Sequence, residues 1–200
     1  GVDIGELQYM IAKTYLAFYF KIVGEEMNSI PIKHDNGLIY HGRNYDLVIG
    51  NPAGGSKYEH GDEGKIFENL NDDLDNNKRK DRISEYNLSI QQAIQSARIG
   101  GKICLILPEG VFSNSQDEFL RKYIVKHCNI LAIISLPRGS FKRGTSVSQL
   151  RRGSQSASMK MSILYIEKIR EVKKNEGLDI NISHMGYPVF LASIEDVNSR

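Results

Sequence analysis

The sequence predicts an α/β protein with a mostly parallel sheet covered by helices. Short apolar runs alternate with longer segments in which apolar residues recur at helical spacing, and this alternation is typical of parallel sheets. The last two strongly apolar runs are joined by a Gly/Ser/Arg-rich stretch without a helical pattern, so we expect those two strands to pair antiparallel. A chain of 200 residues with 40% apolar residues is long enough for one domain with a substantial core.

The first part of the chain is predicted to contain three strands and one helix. The predicted elements are a strand end at 1–4, a helix at Leu7–Val23, a strand at 30–35 and a strand at Tyr45–Gly50. The helix carries interleaved aromatic residues at helical spacing, which we expect to pack against the sheet. Residues 54–81 are polar and predict a long loop with one short helix near 66–70.

The second part is predicted to contain two helices and three strands. The predicted elements are a helix at Tyr86–Ala97, a strand at Lys102–Leu107, a helix at Asp117–Cys128 and strands at Ile130–Leu136 and Met159–Ile169. We expect Gly100-Gly101 to end the first of these helices, because glycine is common just past a helix C-terminus. We predict a domain at 1–170 and a charged, weakly structured extension or linker at 171–200.

The composition indicates the cellular compartment of the protein but does not identify its partner. The net charge of +2 neither requires nor excludes a nucleic-acid partner, which would need clustered positive charge. Cys104 and Cys128 both lie in apolar runs, which favours buried free thiols in a reducing cytoplasm over a disulfide or a metal site. No apolar run approaches the about 20 residues that span a membrane, and no signal peptide is evident. We therefore expect a cytoplasmic protein without a membrane partner or a metal.

Asn51-Pro52 is the most informative motif, because it directly follows the predicted strand Tyr45–Gly50. Ligands of open α/β sheets bind outside the carboxyl ends of the strands. Asn51 presents an amide oxygen there, and a residue before proline favours extended geometry. This arrangement suits recognition of an exocyclic amino group. Asn-Pro is also a common turn dipeptide, so a plain turn is the alternative interpretation.

A further series of motifs follows in a fixed order. The motifs are Gly100-Gly101, Leu107-Pro108-Glu109-Gly110, Ile133–Pro137, Phe141, Gly144-Thr145 and Ser162–Tyr165. The series resembles the N6-adenine DNA methyltransferase family, and most of all the methylation subunit of type I restriction-modification systems. Asn51-Pro52 resembles the first half of that family's Asn/Asp-Pro-Pro-Phe/Tyr motif. The resemblance covers residues 1–168, with 185–187 as a further candidate match. It implies a Rossmann-like, S-adenosylmethionine-dependent methyltransferase fold.

The resemblance implies a role for four residues. Asp3 matches the acidic residue that binds the ribose hydroxyls of S-adenosylmethionine, and Asp35 matches the one that contacts the adenine amino group of this cofactor. A helix N-cap for Asp3 and a turn-forming role for Asp35 are the alternatives. Asn51 is grouped with the cofactor-binding residues as well as with the catalytic ones. As the catalytic pair, the Asn51 side-chain oxygen and the Pro52 carbonyl would accept hydrogen bonds from adenine N6.

Two features depart from the family pattern. Ala53 and Gly54 stand where the motif has proline and an aromatic residue, and a flipped base is normally stacked on an aromatic or apolar side chain. Phe141 is the first candidate to stack on the base instead, and Tyr58 the second. The family's first strand and Gly-rich cofactor turn are not found in this sequence, so we expect an N-terminally incomplete domain whose sheet lacks the first strand.

The resulting hypothesis is a DNA adenine-N6 methyltransferase acting on double-stranded DNA. It implies a specificity subunit as partner and a restriction (nuclease) subunit as a further candidate. One alternative is a catalytically inactive relic or fragment that acts in assembly or DNA binding. A weaker alternative is methylation of another planar amine or amide, such as an RNA base or a protein glutamine. The stretch Arg143–Ser154, with three arginines, is either a contact to DNA phosphates or a solvated insertion.

Overall fold

The structure of the protein, a computed structural model, describes residues 2–3, 5–24, 30–38, 42–52, 57–59, 82–138, 140, 160–172 and 186–194. The chain divides into two compact units, Gly1–Gly42 and Arg43–Arg200. The domain limits expected from the sequence, 1–170 and 171–200, stay a prediction.

The first unit is a small parallel strand pair with one helix. Its elements are strand β1 (Val2–Asp3), helix α1 (Glu6–Val23) and strand β2 (Lys33–His34). Asp3 of β1 pairs with His34 of β2, and the His34 ring stacks on Tyr9 of α1 with a centroid distance of 5.4 Å. Helix α1 ends at Gly24, which has a left-handed φ of 74° and donates its N–H to the Phe20 carbonyl.

The expectation that the aromatic residues of α1 pack in a core is wrong. No residue of this helix is buried, and the side chains of Tyr15 and Phe18 are 77% and 63% exposed. The reason lies in size. A helix of 18 residues is about 27 Å long, whereas the two-residue strands β1 and β2 extend over about 7 Å. The strand pair therefore offers too little surface to cover the helix.

The second unit contains a five-stranded mixed sheet. Its elements are β3 (Tyr45–Gly50), β4 (Lys57–Glu59), β5 (Arg82–Ser84), α2 (Glu85–Ser96), β6 (Ala97–Pro108), α3 (Gly110–Ser113), a 3₁₀ turn (Ser115–Asp117), α4 (Glu118–His127), β7 (Cys128–Ser135), β8 (Met161–Lys168) and β9 (Phe190–Ser193). The strand order is β3-β6-β8-β7-β9, and β4 and β5 form a separate antiparallel pair.

The sheet confirms the predicted class and the predicted antiparallel strand. Strand β8 lies between β6 and β7 and is antiparallel to both, while β3 pairs parallel with β6. Strand β9 pairs parallel with β7, so the expectation of a weakly structured tail is wrong for Phe190–Ser193. This short run has four residues, too few to stand out by periodicity from its polar surroundings.

The core of the second unit forms where α2 packs against β6 and α4 packs against β7. Ile103, Leu105 and Leu107 alternate along β6 and are each at most 2% exposed. In the described part of the chain, no helix combines the length and apolar character needed to cross a membrane. The core of this unit is therefore centred on β6, whereas Leu47 and Ile49 of β3 are 53% and 72% exposed.

Two further buried residues of this core are Cys128 and Lys168. Cys104 and Cys128 are free thiols, and burial raises the pKa of the Cys128 thiol from 9.0 to about 12. Lys168 is 1% exposed. Its Nζ donates to the Ala97 carbonyl at 2.8 Å and to Glu171 Oε2 at 3.0 Å. A buried ammonium of this kind requires such partners.

Gly100 and Gly101 do not end a helix, which corrects the sequence-based expectation. Helix α2 ends at Ser96 and β6 begins at the next residue, so both glycines lie inside the strand. Gly100 has a φ of 75°, and the pairing of β6 with β3 shifts register nearby, between Tyr45 and Leu47. The glycines therefore serve an irregularity in the strand, where a positive φ favours glycine.

Candidate functional site

Asn51 and Pro52 directly follow β3 at its carboxyl end. Gly50 pairs with Leu105 of β6, and a Cβ atom at Gly50 would lie 3.1 Å from Leu105 Cδ2. Glycine therefore allows the close approach of the two strands just before the motif. Asn51 is exposed and Pro52 is half-buried. Within the described residues, neither the Asn51 amide nor the Pro52 carbonyl has a hydrogen-bond partner. As far as the described part of the chain shows, two acceptors therefore lie without partners at this edge of the sheet.

Three polar residues meet at the same edge. Glu109 follows β6, Ser135 ends β7 and Lys160 precedes β8. Lys160 Nζ lies 2.9 Å from Glu109 Oε1, and the Ser135 hydroxyl donates to the same oxygen at 3.3 Å. We call Glu109, Ser135 and Lys160 the strand-end cluster. Glu109 belongs to the motif Leu107-Pro108-Glu109-Gly110, from which the sequence predicts no role for this carboxylate. Its position directly after an apolar strand was the available signal.

The strand-end cluster keeps the Glu109 carboxylate ionised. The pKa of Glu109 lies below its ordinary value of 4.5, chiefly because Lys160 donates a hydrogen bond to it. Desolvation opposes this shift, whereas the Ser135 hydroxyl and the charge of Arg138 add to it. Asp46 also has a lowered pKa, because it bonds to the Arg98 guanidinium, but this ion pair is exposed and lies at the start of β3. Only the pair at Glu109 bears on the carboxyl edge.

In the first unit, the structure brings Asp3 and Asp35 together. The two residues lie at the carboxyl ends of the adjacent parallel strands β1 and β2, and the Asp35 N–H donates to the Asp3 carbonyl at 3.0 Å. Asp3 Oδ1 accepts the N–H of Gly5 at 2.8 Å. Asp3 is half-buried, and among the described residues no group occupies its second carboxylate oxygen. Nothing in the described part of the chain blocks a ligand from this oxygen.

The alternative roles predicted for these aspartates were a helix N-cap for Asp3 and a turn for Asp35, and the structure agrees only with the second. Gly5, and not Asp3, is the N-cap residue of α1, although Asp3 bonds to the Gly5 N–H. Asp35 Oδ1 accepts the N–H of Asn36 at 2.8 Å, and Asn36 Oδ1 in turn accepts the N–H of Leu38 at 2.9 Å. Asp35 therefore takes part in a polar turn. Asp35 as a residue is exposed. The predicted ligand roles of both aspartates stay predictions.

Comparison with protein families decides the assignment. The sequence signature described as N-6 DNA Methylase matches residues 1–184, which is most of the chain. The chain belongs to the N-6 DNA Methylase family. This confirms the resemblance that the ordered motifs indicated. No curated protein is similar enough in sequence to add to this comparison.

Solved structures show that this family member has the fold of S-adenosylmethionine-dependent methyltransferases. A protein from Listeria monocytogenes described as such a class I enzyme is 22% identical, with a TM-score of 0.62 over 97% of this chain and 48% of its own. A type I restriction enzyme modification subunit from Vibrio vulnificus is 17% identical, with a TM-score of 0.58 over 86% of this chain and 32% of its own. The EcoKI M protein is 18% identical, with a TM-score of 0.55 over 88% of this chain and 32% of its own. The chain spans less than half the length of each.

The base-stacking candidates of this N-6 DNA Methylase family member are not located by the structure. Tyr58 lies in β4, opposite Ile83 of β5, but its side chain lies outside the described residues. Phe141 and the stretch Arg143–Ser154 also fall outside them. The roles of Tyr58 and Phe141 therefore stay predictions.

Proposed function

We propose that the chain is the catalytic part of a DNA adenine-N6 methyltransferase, the modification subunit of a type I restriction-modification system. The observation that carries the proposal is the Asn51-Pro52 pair at the carboxyl end of β3, whose two acceptor oxygens have no partner among the described residues. The pair stands in a chain of the N-6 DNA Methylase family. Its substrate is an adenine that has left the DNA stack.

The two acceptors explain how this chain would direct the reaction. Asn51 Oδ1 and the Pro52 carbonyl accept the two N–H groups of the adenine amine, so the nitrogen lone pair points away from them. S-adenosylmethionine supplies an electrophilic methyl group on a sulfonium sulfur. When bound, the cofactor would supply this methyl group to the amine nitrogen with a neutral thioether as the leaving group, and the amine would release one proton to solvent. The acceptors orient the amine and stabilise the positive charge that develops on it.

Asp3 and Asp35 fit the cofactor that this reaction requires. A carboxylate oxygen accepts hydrogen bonds from a ribose diol or an amino group. Asp3 keeps one such oxygen without a partner among the described residues, and Asp35 is exposed at the end of the neighbouring strand. Asp3 would hold the ribose hydroxyls and Asp35 the adenine amino group of S-adenosylmethionine.

Calorimetric titration of the full-length protein with S-adenosylmethionine tests the cofactor assignment. We expect binding by the wild type and loss of binding when Asp3→Ala and Asp35→Ala are combined. Replacing Glu6, the exposed first residue of α1, with Gln is the control and should leave the affinity unchanged. Equal affinity of the double variant and the wild type would refute the assignment.

Transfer of a labelled methyl group to duplex DNA tests the catalytic assignment. The assay uses the full-length protein with its specificity subunit. Removing one oriented hydrogen-bonding group of this kind costs about 10²–10³ in kcat, so Asn51→Ala should lower the rate by that factor. Asn129, at the opposite end of the sheet in β7, is the control, and Asn129→Ala should retain the wild-type rate. Wild-type transfer by the Asn51→Ala protein would refute the mechanism.

One sequence feature supports a second candidate, an inactive relic that binds DNA or assembles with partners. Ala53 and Gly54 replace the proline and the aromatic residue of the family motif. Combining Ala53→Pro with Gly54→Phe distinguishes the two candidates. If methyl transfer appears only in this restored protein, the relic is the correct assignment. If the wild type already transfers methyl groups, the restored protein should only bind the flipped base more tightly.

The partners follow from the same proposal. We place double-stranded DNA and a specificity subunit with the chain in the cytoplasm, with a nuclease subunit as a further partner. Two structural relatives are described as type I modification proteins. A Type ISP restriction-modification enzyme that is described in complex with a DNA substrate mimic also shares the fold (16% identity, TM-score 0.57). Methyl transfer that does not require an added specificity subunit would refute that partnership.

A further inference from the structure

Lys160 is fixed at the carboxyl edge of the sheet through both its main chain and its side chain. Its carbonyl accepts the N–H of Glu109 at 2.9 Å, and its Nζ lies 2.9 Å from Glu109 Oε1. The Ser135 hydroxyl donates to the same carboxylate oxygen at 3.3 Å. Because both ends of this lysine are held, its ammonium loses little conformational freedom when it binds a ligand.

The ammonium of Lys160 has more donors than Glu109 uses. A lysine ammonium carries three N–H donors, and one of them is directed at Glu109. Among the described residues, no other acceptor bonds to this ammonium, and the side chain of Lys160 is 34% exposed. As far as the described residues show, two donors therefore remain for a ligand.

The charges around Glu109 do not cancel. The pKa of Glu109 is lowered chiefly by the hydrogen bond from Lys160 and further by the charge of Arg138. Two cations therefore act on one carboxylate, which leaves one positive charge in excess. The ion pair of Lys102 with Glu167, at the opposite ends of β6 and β8, joins one cation to one carboxylate. The excess charge at the carboxyl edge favours an anionic ligand.

The register of the sheet relates Lys160 to Asn51. Asn51 follows the β3 residue that pairs with Leu105 of β6, so it is level with position 106. Lys160 precedes the β8 residue that pairs with Pro108 of β6, so it is level with position 109 and two strands from β3. At about 3.3 Å per residue and about 4.8 Å per strand, the two residues are roughly 14 Å apart.

This separation suits the two ends of one bound nucleotide. A base that leaves the stack stays covalently linked to its sugar and phosphate, so a phosphate must lie near any base held at Asn51. A lysine side chain and one nucleotide together cover a distance of this order. Lysine is also a common phosphate ligand, because its ammonium acts as a point charge.

We propose that Lys160 binds a phosphate of the target strand beside the flipped adenine, with Glu109 and Ser135 holding its ammonium in place. The inference rests on the proposed function and deepens it, because it adds a backbone contact to the recognition of the base. A phosphate contact of this kind positions the strand and carries no sequence information. The alternative is an ion pair with a purely structural role.

The salt dependence of DNA binding separates these two roles. The experiment measures Kd of the full-length protein with its specificity subunit for a duplex that the wild type methylates. Loss of one phosphate contact lowers the slope of log Kd against log salt concentration by about 0.9. We expect this change in Lys160→Gln, with a rise in Kd of about three- to tenfold at low salt. Lys160→Arg keeps the charge and should keep the wild-type slope.

The chain offers a closely matched control in Lys102. This lysine pairs with Glu167 at 3.0 Å and has a side chain that is 36% exposed. Lys102→Gln therefore removes the same charge and an ion pair of the same kind, at the opposite end of the same two strands. It should leave the slope at the wild-type value. Equal slopes for Lys160→Gln and Lys102→Gln would overturn the proposal, and so would a lowered slope in Lys160→Arg.

Neutral phosphate analogues locate the contact on the DNA. The phosphates that flank the methylated adenine are replaced one at a time by methylphosphonate. At one position this replacement should raise Kd about three- to tenfold for the wild type and for Lys102→Gln, and far less for Lys160→Gln, which has already lost the contact. Equal losses in all three proteins at every position would overturn the proposal.

The wild-type reaction separates this inference from the proposed function. If the wild type forms N6-methyladenine while Lys160→Gln keeps the wild-type slope, the phosphate contact is wrong and the proposed function stands. If the wild type neither binds nor methylates duplex DNA, the proposed function fails, and this inference fails with it.

Discussion

A substitution at Gly101 tests the close approach of β6 to β3. This residue lies in β6, where the strand approaches the first residue of β3. A Cβ atom at Gly101 would lie 2.8 Å from the carbonyl oxygen of Arg98 and 2.8 Å from that of Tyr45. Both atoms belong to the backbone, so neither moves aside as a flexible side chain would. We expect Gly101→Ala to destabilise the protein.

The size of the effect follows from these two distances. Overpacking a close contact costs about 1–3 kcal/mol, and two backbone contacts place Gly101→Ala in the upper part of that range. For a chain of 200 residues, each kcal/mol lowers Tm by about 2–4 °C. The expected fall in Tm is therefore roughly 5–10 °C. The strain acts on β3, which directly precedes Asn51-Pro52, so the proposed methyl transfer should fall as well.

Thermal unfolding followed by circular dichroism measures this change. Gly186→Ala is the matched control, because a Cβ atom there would have none of the described residues within 4 Å. Its free energy of unfolding should stay within about 0.5 kcal/mol of the wild type. If Gly101→Ala were as stable as Gly186→Ala, the close approach of β6 to β3 would be wrong. The role of Gly101 inside the strand would then be wrong too.

Three further predictions concern buried and paired groups. Lys168→Met should lower the free energy of unfolding by about 1–3 kcal/mol, because a buried carbonyl loses its donor. Glu171→Gln should lower it by less than about 1 kcal/mol, because Glu171 is 55% exposed. Denaturant titration compares the two variants, and equal losses would contradict the buried role of the ammonium. The raised pKa of Cys128, about 12 instead of 9.0, lowers its thiolate fraction about a thousandfold. Iodoacetamide should therefore label Cys104 first and Cys128 only after unfolding, and mass spectrometry of the labelled protein measures this order. Because the folded pKa of Glu109 lies below 4.5, its ion pair stabilises the protein above that pH and the stabilisation is lost as the pH falls through the folded pKa. Between about pH 5 and pH 3 the Tm of the wild type should fall more steeply than that of Glu109→Gln, and equal slopes would refute the ion pair.

Four strands of the second unit, β3, β6, β7 and β8, were predictable because their apolar runs are long and continuous. The antiparallel placement of β8 was predicted because the sequence between β7 and β8 has no helical pattern, and the pairing of the two strands confirms it. The position of Asn51-Pro52 after β3 followed from the abrupt end of an apolar run. In each case the signal is local in sequence, and the core then forms where those apolar faces meet.

The errors arose where a residue's role depends on distant parts of the chain. The periodicity of α1 indicates an apolar face but not the width of the surface beneath it, and β1 and β2 leave that helix without a buried residue. A glycine pair indicates an unusual backbone, yet Gly100 and Gly101 serve a strand irregularity that depends on pairing with β3. Similarly, no local pattern indicates that Lys160 meets Glu109.

The proposed function requires that the chain direct a methyl group to adenine N6. The most direct test is mass-spectrometric nucleoside analysis of duplex DNA after incubation with the full-length protein, its specificity subunit and S-adenosylmethionine. We predict N6-methyladenine as the product and its loss in Asn51→Ala. If the methyl group instead appeared on cytosine, or if the Asn51→Ala protein produced as much N6-methyladenine as the wild type, the assignment of Asn51-Pro52 as the adenine-binding pair would be contradicted.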